Sequence, residues 1–141
     1  ITRAEVATIF FRLLTDESRN EYWSQTNPYS DVSADDWFNN AVSTLTNAGV
    51  LDGYEDGTFR PDTYITRAQA MTMINRVLNR IPEDESDLLP GMNVWPDCNP
   101  GDWFYLAIQE ATNSHDYRHK AGSYETWTGL NADPDWTRYE N

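Results

Sequence analysis

The sequence has one cysteine, Cys98, and one lysine, Lys120, among 141 residues. A single thiol cannot close an internal disulfide, and it excludes a cysteine-rich structural zinc site. No base stands near Cys98 in the sequence to activate it, so it reads as a small, semi-buried apolar residue. Positive charge is scarce: 10 Lys+Arg stand against 23 Asp+Glu, for a net charge of −13. Such a chain offers no basic face to nucleic acid and is repelled by anionic lipid. No run of about 18 apolar residues occurs, so no membrane span is expected. No leader is visible either. The sequence begins at Ile1, which reads as a processed or truncated end and leaves localisation unreadable from a signal.

What the sequence does have is aromatic. Six Trp, eight Tyr and five Phe exceed what an acidic disordered tail carries, so a packed core is expected. Nine of the ten basic residues are Arg, the side chain suited to forked capture of a carboxylate or phosphate. Their positions therefore matter more than their number.

Two internal repeats organise the chain. Ile1-Thr2-Arg3-Ala4-Glu5 returns as Ile65-Thr66-Arg67-Ala68-Gln69, and the likeness extends to Thr8/Thr72, Arg12/Arg76 and Leu14/Leu78. Asp31–Asn47 returns as Asp97–Asn113, sharing Asp31/Asp97, Asp36-Trp37-Phe38/Asp102-Trp103-Phe104 and Ala41/Ala107. One unit of roughly 65 residues is thus read out of phase. Residues 1–15 are the second half of a first copy, 29–81 a complete copy, and 95–141 a third copy with a divergent aromatic tail.

Each half-unit reads as a helix. Trp37, Ala41, Val42, Leu45 and Ala48 fall on one face of a 3.6-residue period, with Ser33 and Asp36 as a capping pair and Gly49 as the terminator. Asn99-Pro100 plays the capping part in the third copy. Ala68, Met71, Ile74, Val77, Leu78 and Ile81 make the second stripe, closed by Pro82. Thr2 with Glu5, and Thr66 with Gln69, are capping boxes. Asp56-Gly57 marks a tight turn between the halves, followed by a short extended piece at Thr58-Phe59. Segments 16–28 and 82–94 read as surface connections, and 114–141 as an irregular wrap anchored by Tyr124, Trp127, Trp136 and Tyr139.

Asp31-Val32, Trp37, Ala41-Val42, Leu45, Gly49, Gly53, Asp56-Gly57-Thr58-Phe59, Pro61 and Ile65-Thr66-Arg67-Ala68 resemble the S-layer homology (SLH) motif. The likeness covers about two thirds of the chain. It implies a mainly α fold of tandem helix–loop–helix repeats, forming a pseudo-threefold helical bundle with short loops or extended pieces between the helices. It also implies a secreted, cell-surface module that binds secondary cell wall polysaccharide, often bearing a pyruvate ketal, in grooves between repeats. Gln69 stands where the family has Glu, and the third copy lacks the turn and the Arg-bearing helix start.

On this reading Arg3 and Arg67, each in the first turn of a capped helix, fork onto a sugar carboxylate beside free helix-end N–H groups. Asp31 and Asp97 orient the arginines or accept sugar hydroxyls. Trp37 and Trp103 offer flat faces to sugar rings, although opening an apolar stripe suits them better to the core. Gly53 and Gly57 let the backbone approach a ligand, although Asp56-Gly57 is a turn first.

No metal or cofactor is expected. Asp52, Glu55 and Asp56 carry only a fragment of the spacing of a calcium loop. His115 and His119, four apart beside Asp116, would share a helical face but lack further ligands. No pair of carboxylates stands out, and no nucleophile elbow, phosphate loop or zinc motif is present, so the chain is not read as an enzyme. The competing function is a structural module of a surface layer, contacting other copies of a surface-layer protein through its aromatic tail.

Overall fold

The computed structural model describes residues 1–140. The chain divides into two compact units, residues 1–73 and residues 74 onward. Among the described residues there are five α-helices, a three-stranded sheet and two short 3-10 turns. The helical expectation thus holds in part, and the sheet is an addition to it.

The first unit opens with α1 (Arg3–Leu13), capped by Thr2, whose hydroxyl accepts from the Glu5 N–H while the Glu5 carboxylate takes the Thr2 N–H. The second helix, α2 (Asp16–Tyr22), replaces part of the connection expected over 16–28. Thr15 caps it, yet it buries no residue, so it leaves no apolar stripe to read. In α3 (Asn39–Asn47), Ala41, Val42 and Leu45 pack inward, and α1 lies against α3. Phe59, Leu51, Phe38, Val6 and Ala7 complete this core.

The termini of α3 divide into one correction and one agreement. Ser33 and Asp36 do close a turn, with the Ser33 N–H donating to Asp36 at 2.7 Å, but it precedes the helix. The helix begins at Asn39 after an uncapped Phe38. Asn99 and Asp102 repeat this turn ahead of α5 (Tyr105–Thr112), so Pro100 is not at a first helical position. Trp37 therefore lies outside the stripe, and its neighbour Phe38 takes the buried place. At the other end Gly49 adopts φ +70°, and the N–H of Val50 reaches back to the Leu45 carbonyl at 3.0 Å, a Schellman closure.

A fourth helix, α4 (Arg67–Val77), begins in the first unit and is not closed by Pro82. Asn79 takes the left-handed turn at φ +56°, and the Arg80 N–H returns to the Asn75 carbonyl at 2.8 Å. Ile81–Pro82 is instead a strand, β1, which a proline tolerates at a sheet edge.

The second unit corrects the reading of its tail. Residues 114–130 are a hairpin of β2 (His115–His119) and β3 (Tyr124–Leu130), not an irregular wrap. The sheet order is β1-β3-β2, with β1 parallel and β2 antiparallel to β3. Along β3 the pleat turns Glu125 and Trp127 inward. Trp127 joins Leu88, Cys98 and Tyr105 in the core of this unit. Leu88 lies in the expected 82–94 connection, so that segment contributes to packing as well as linkage.

Candidate functional site

In the first unit the loop 51–63 closes over the start of α1. Tyr54 N–H donates to the Thr58 carbonyl at 2.8 Å, and Gly57, at φ +79°, makes the turn. The Asp56 carboxylate accepts from the Thr58 hydroxyl at 2.6 Å, from the Arg60 guanidinium at 3.0 Å and from the Thr58 N–H at 3.0 Å. These bonds, that of Thr58 foremost, bring its pKa down to about 2. Asp31 reaches in from the front of the same copy and accepts the N–H groups of Phe59 and Arg60 at 2.7 and 2.8 Å. It holds the turn to the segment before α3.

Arg3 is the arginine under this loop. Only 5% of it is exposed. Its Nε donates to the Phe59 carbonyl at 2.8 Å and its Nη2 to the Asp52 carbonyl at 3.0 Å, with the guanidinium against the rings of Phe59 and Tyr54. Burial pulls its pKa below the ordinary arginine value. The helix-end N–H groups are occupied as well: Arg3 and Ala4 donate to the carbonyls of Thr63 and Pro61 at 2.9 and 3.0 Å. The chain itself fills the anion site expected at the start of α1.

The start of α4 is different. The capping box closes through Gln69, whose carbonyl oxygen accepts from the Thr66 N–H at 3.1 Å while the Thr66 hydroxyl accepts from the Gln69 N–H at 3.1 Å. Gln69 also donates its amide to the Tyr54 hydroxyl at 2.9 Å, whereas an ionised Glu could only accept from that hydroxyl. Arg67 is exposed, and neither its side chain nor its N–H has a partner among the described residues. Tyr54 is a site residue that the sequence reading does not single out. It lies between Arg3, Arg60 and Gln69, and its Gly-Tyr-Glu-Asp-Gly setting is the available signal.

The tryptophans depart from the expected core placement: both are in solvent. Trp37 is 67% and Trp103 68% exposed, and each stands edge-on to the following phenylalanine, at 5.2 Å and 87° in one unit and 5.4 Å and 86° in the other. Of the glycines, Gly53 is a close-approach position, but the approaching group is Tyr29; a Cβ there would lie 2.3 Å from the Tyr29 ring. Gly57 faces open space. Asp97 is exposed, and among the described residues no loop of the 51–60 kind comes after it to need its carboxylate. Arg3, Asp31 and Gly53 thus gather around one loop of the first unit, while Asp97 and Trp103 belong to the second.

Residues 28–71 match the family model for the S-layer homology domain. Among curated proteins, the chain is 34% identical to cell surface glycoprotein 1 of Acetivibrio thermocellus, over 83% of this chain and 5% of that protein. It is 31% identical to the cellulosome-anchoring protein of the same organism, over 84% of this chain and 25% of that protein. It is 33% identical to endo-1,4-beta-xylanase A of Thermoanaerobacterium saccharolyticum, over 70% of this chain and 7% of that protein. The chain spans a quarter or less of the length of each of these relatives. No solved structure matches. The turn at Asp56-Gly57, the Asp31 clamp upon it and the Thr66 helix start all fall within the matched segment, and through that segment the chain belongs to the S-layer homology domain family.

Proposed function

We propose that the chain is a non-catalytic cell-surface module that anchors its parent protein to the wall by binding an acidic secondary cell wall polysaccharide. The observation that carries this reading is the pair of exposed, braced tryptophans, Trp37 and Trp103. A large ring held in water at a fixed angle, twice over in the same geometry, suits stacking on sugar rings. Arg67 at an open, capped helix start supplies a partner for a carboxylate such as a pyruvate ketal. Arg3, Asp31, Gly53 and Gly57 serve by shaping the loop, and Asp97 is left to meet sugar hydroxyls. The names of the surface glycoprotein and the cellulosome-anchoring protein support the anchoring role. On this reading residues 1–15, 29–81 and 95–141 are a partial, a complete and a divergent copy within a pseudo-threefold arrangement. Any catalysis by the parent protein lies in other segments.

The test is sedimentation with wall sacculi that keep their polymer, for wild type, Trp37→Ala, Trp103→Ala and the double variant. Retention should drop at least about tenfold in the double variant and vanish on sacculi stripped of polymer. Undiminished retention of the double variant would reject the tryptophans. Because the surround carries −13, affinity should rise, or fall only weakly, as salt is added. A second reading has its own observation: Trp136 and Tyr139 are 65% and 67% exposed, as in a module that meets other surface-layer copies. Concentration-dependent oligomers in light scattering, without polymer binding, would favour it.

A further inference from the structure

The second unit holds a group of charges that wall binding does not use. The Schellman turn at Asn79 sets Arg80 in place, the end of α5 supplies Glu110, β2 supplies His115 and β3 supplies Glu125. The side chains of Glu110 and His115 are 3% exposed, Glu125 0% and Arg80 24%. Arg80 pairs with Glu110 at 3.0 Å and with Glu125, and its guanidinium lies over the Tyr117 ring at 3.5 Å. The Trp127 ring stacks on His115 at 4.1 Å and donates its N–H to Glu110 at 2.8 Å. Arg80 already occupies both carboxylates, so the cation of this site is the guanidinium.

The proton on His115 decides the balance. Its Nδ1 lies 2.7 Å from the Asn113 carbonyl, an acceptor only, so Nδ1 carries a hydrogen. Its Nε2 lies 3.2 Å from a carboxylate oxygen of Glu110, 3.2 Å from one of Glu125, and 3.0 Å from Arg80 Nη2. As an imidazolium, Nε2–H donates to the carboxylates, Arg80 Nη2 turns its hydrogens to Glu110 and Glu125 at 3.0 and 3.3 Å instead of to the ring, and the two positive groups cancel the two negative ones. As a neutral ring, Nε2 turns acceptor toward Arg80, and the pair of carboxylates, when both are ionised, then keeps one net negative charge buried, a costly state. Facing His115 are Glu110 from α5, Glu125 and Trp127 from β3, Tyr117 from its own strand and Arg80 from the segment before β1; Tyr117 in turn contacts the exposed His119.

We propose that this cluster is a proton-held latch: protonated His115 fastens the β2–β3 hairpin to α5, and its deprotonation loosens the second unit at alkaline pH. Burial alone would lower the His115 pKa, but hydrogen bonds to Glu110, Asn113 and Glu125 outweigh it and raise it above its ordinary 6.5. A raised folded-state value means the contribution is complete below the unfolded value and is lost as pH climbs through the folded one. Glu110 sets the acid limit. Burial pushes it up, but the bonds from His115 and Trp127 hold it below the ordinary carboxylate value.

Two measurements on the full chain test this. The first is a proton NMR titration of the two histidines, with exposed His119 read in the same spectrum. His115 should still be more than half doubly protonated at pH 6.5, the ordinary midpoint of the ring, and a mostly neutral His115 there overturns the proposal. The second is chemical unfolding between pH 6 and 9 for wild type and His115→Gln. Wild type should lose up to about tenfold in the folded-to-unfolded ratio per pH unit across the His115 transition, and the variant should lack that slope. Equal slopes overturn the latch. Should the variant fail to fold, the titration of the wild type alone decides.

Discussion

The starts of α1 and α4 are spelled almost alike and end in opposite states. Both are capped by threonine, and both carry arginine at the first helical position. At α1 the guanidinium is buried under loop 51–63, and two helix-end N–H groups donate to carbonyls of that loop. At α4 the arginine stands in solvent. The difference originates one repeat further along the chain. There the first start meets a loop shaped by Asp31, Asp56 and Gly57, whereas the corresponding stretch beyond the second is the β2–β3 hairpin. The same four letters, Ile-Thr-Arg-Ala, thus open one helix whose arginine is buried in the fold and another whose arginine stands in solvent.

The largest effect should come from Arg3→Ala. It removes two bonds from a charged donor and leaves the buried Phe59 carbonyl short of that partner, for a loss of about 2–4 kcal/mol in denaturant unfolding. Arg67→Ala should stay within about 0.5 kcal/mol. Equal losses would break the comparison. Next is Gly53→Ala, whose new Cβ meets the Tyr29 ring at 2.3 Å and the Thr58 carbonyl at 2.7 Å; overpacking of this kind costs about 1–3 kcal/mol.

In binding the ranking should reverse. Arg67→Ala should cut retention on pyruvylated wall polymer about tenfold, with unfolding unchanged. Retention equal to wild type would remove Arg67 from the site. The smallest effect is acid loosening. Glu5 closes the α1 box with a carboxylate held low by the Thr2 N–H, and Asp56 is brought to about 2, whereas Gln69 closes the α4 box with an amide. A lowered folded-state value gives a contribution present above the unfolded value and lost as pH falls through the folded one. Amide exchange at Thr2 and Thr58, whose N–H groups donate to those carboxylates, should therefore quicken as pH drops toward 2, after correction for intrinsic rates, while that at Thr66 does not.

Much of the first unit is legible in the sequence because its signals are local. Thr2 with Glu5 and Thr66 with Gln69 are capping boxes within four residues, and Gly49 and Gly57 mark turns by their own conformations. Exposure is less legible. Trp37 fits the period of α3, but the Ser33–Asp36 turn delays the helix to Asn39 and swings the ring out, a geometry no periodicity contains. The hairpin does carry a signal: Tyr124, Thr126 and Thr128 alternate with Glu125 and Trp127, after a turn at Gly122. The aromatic and polar residues around it mask that alternation as an irregular tail. The Arg80 cluster draws its members from four separate segments, and only the fold brings them within reach.

The parallel pairing of β1 with β3 bears on how the chain is made. Ile81 meets Tyr124, 43 positions further on. At about 5–20 residues per second of synthesis, β1 waits roughly 2–9 s for its partner. Two residues cannot hold a strand alone, so the sheet closes only after its hairpin has emerged. A ribosome stalled before Tyr124 therefore carries β1 without its strand partner.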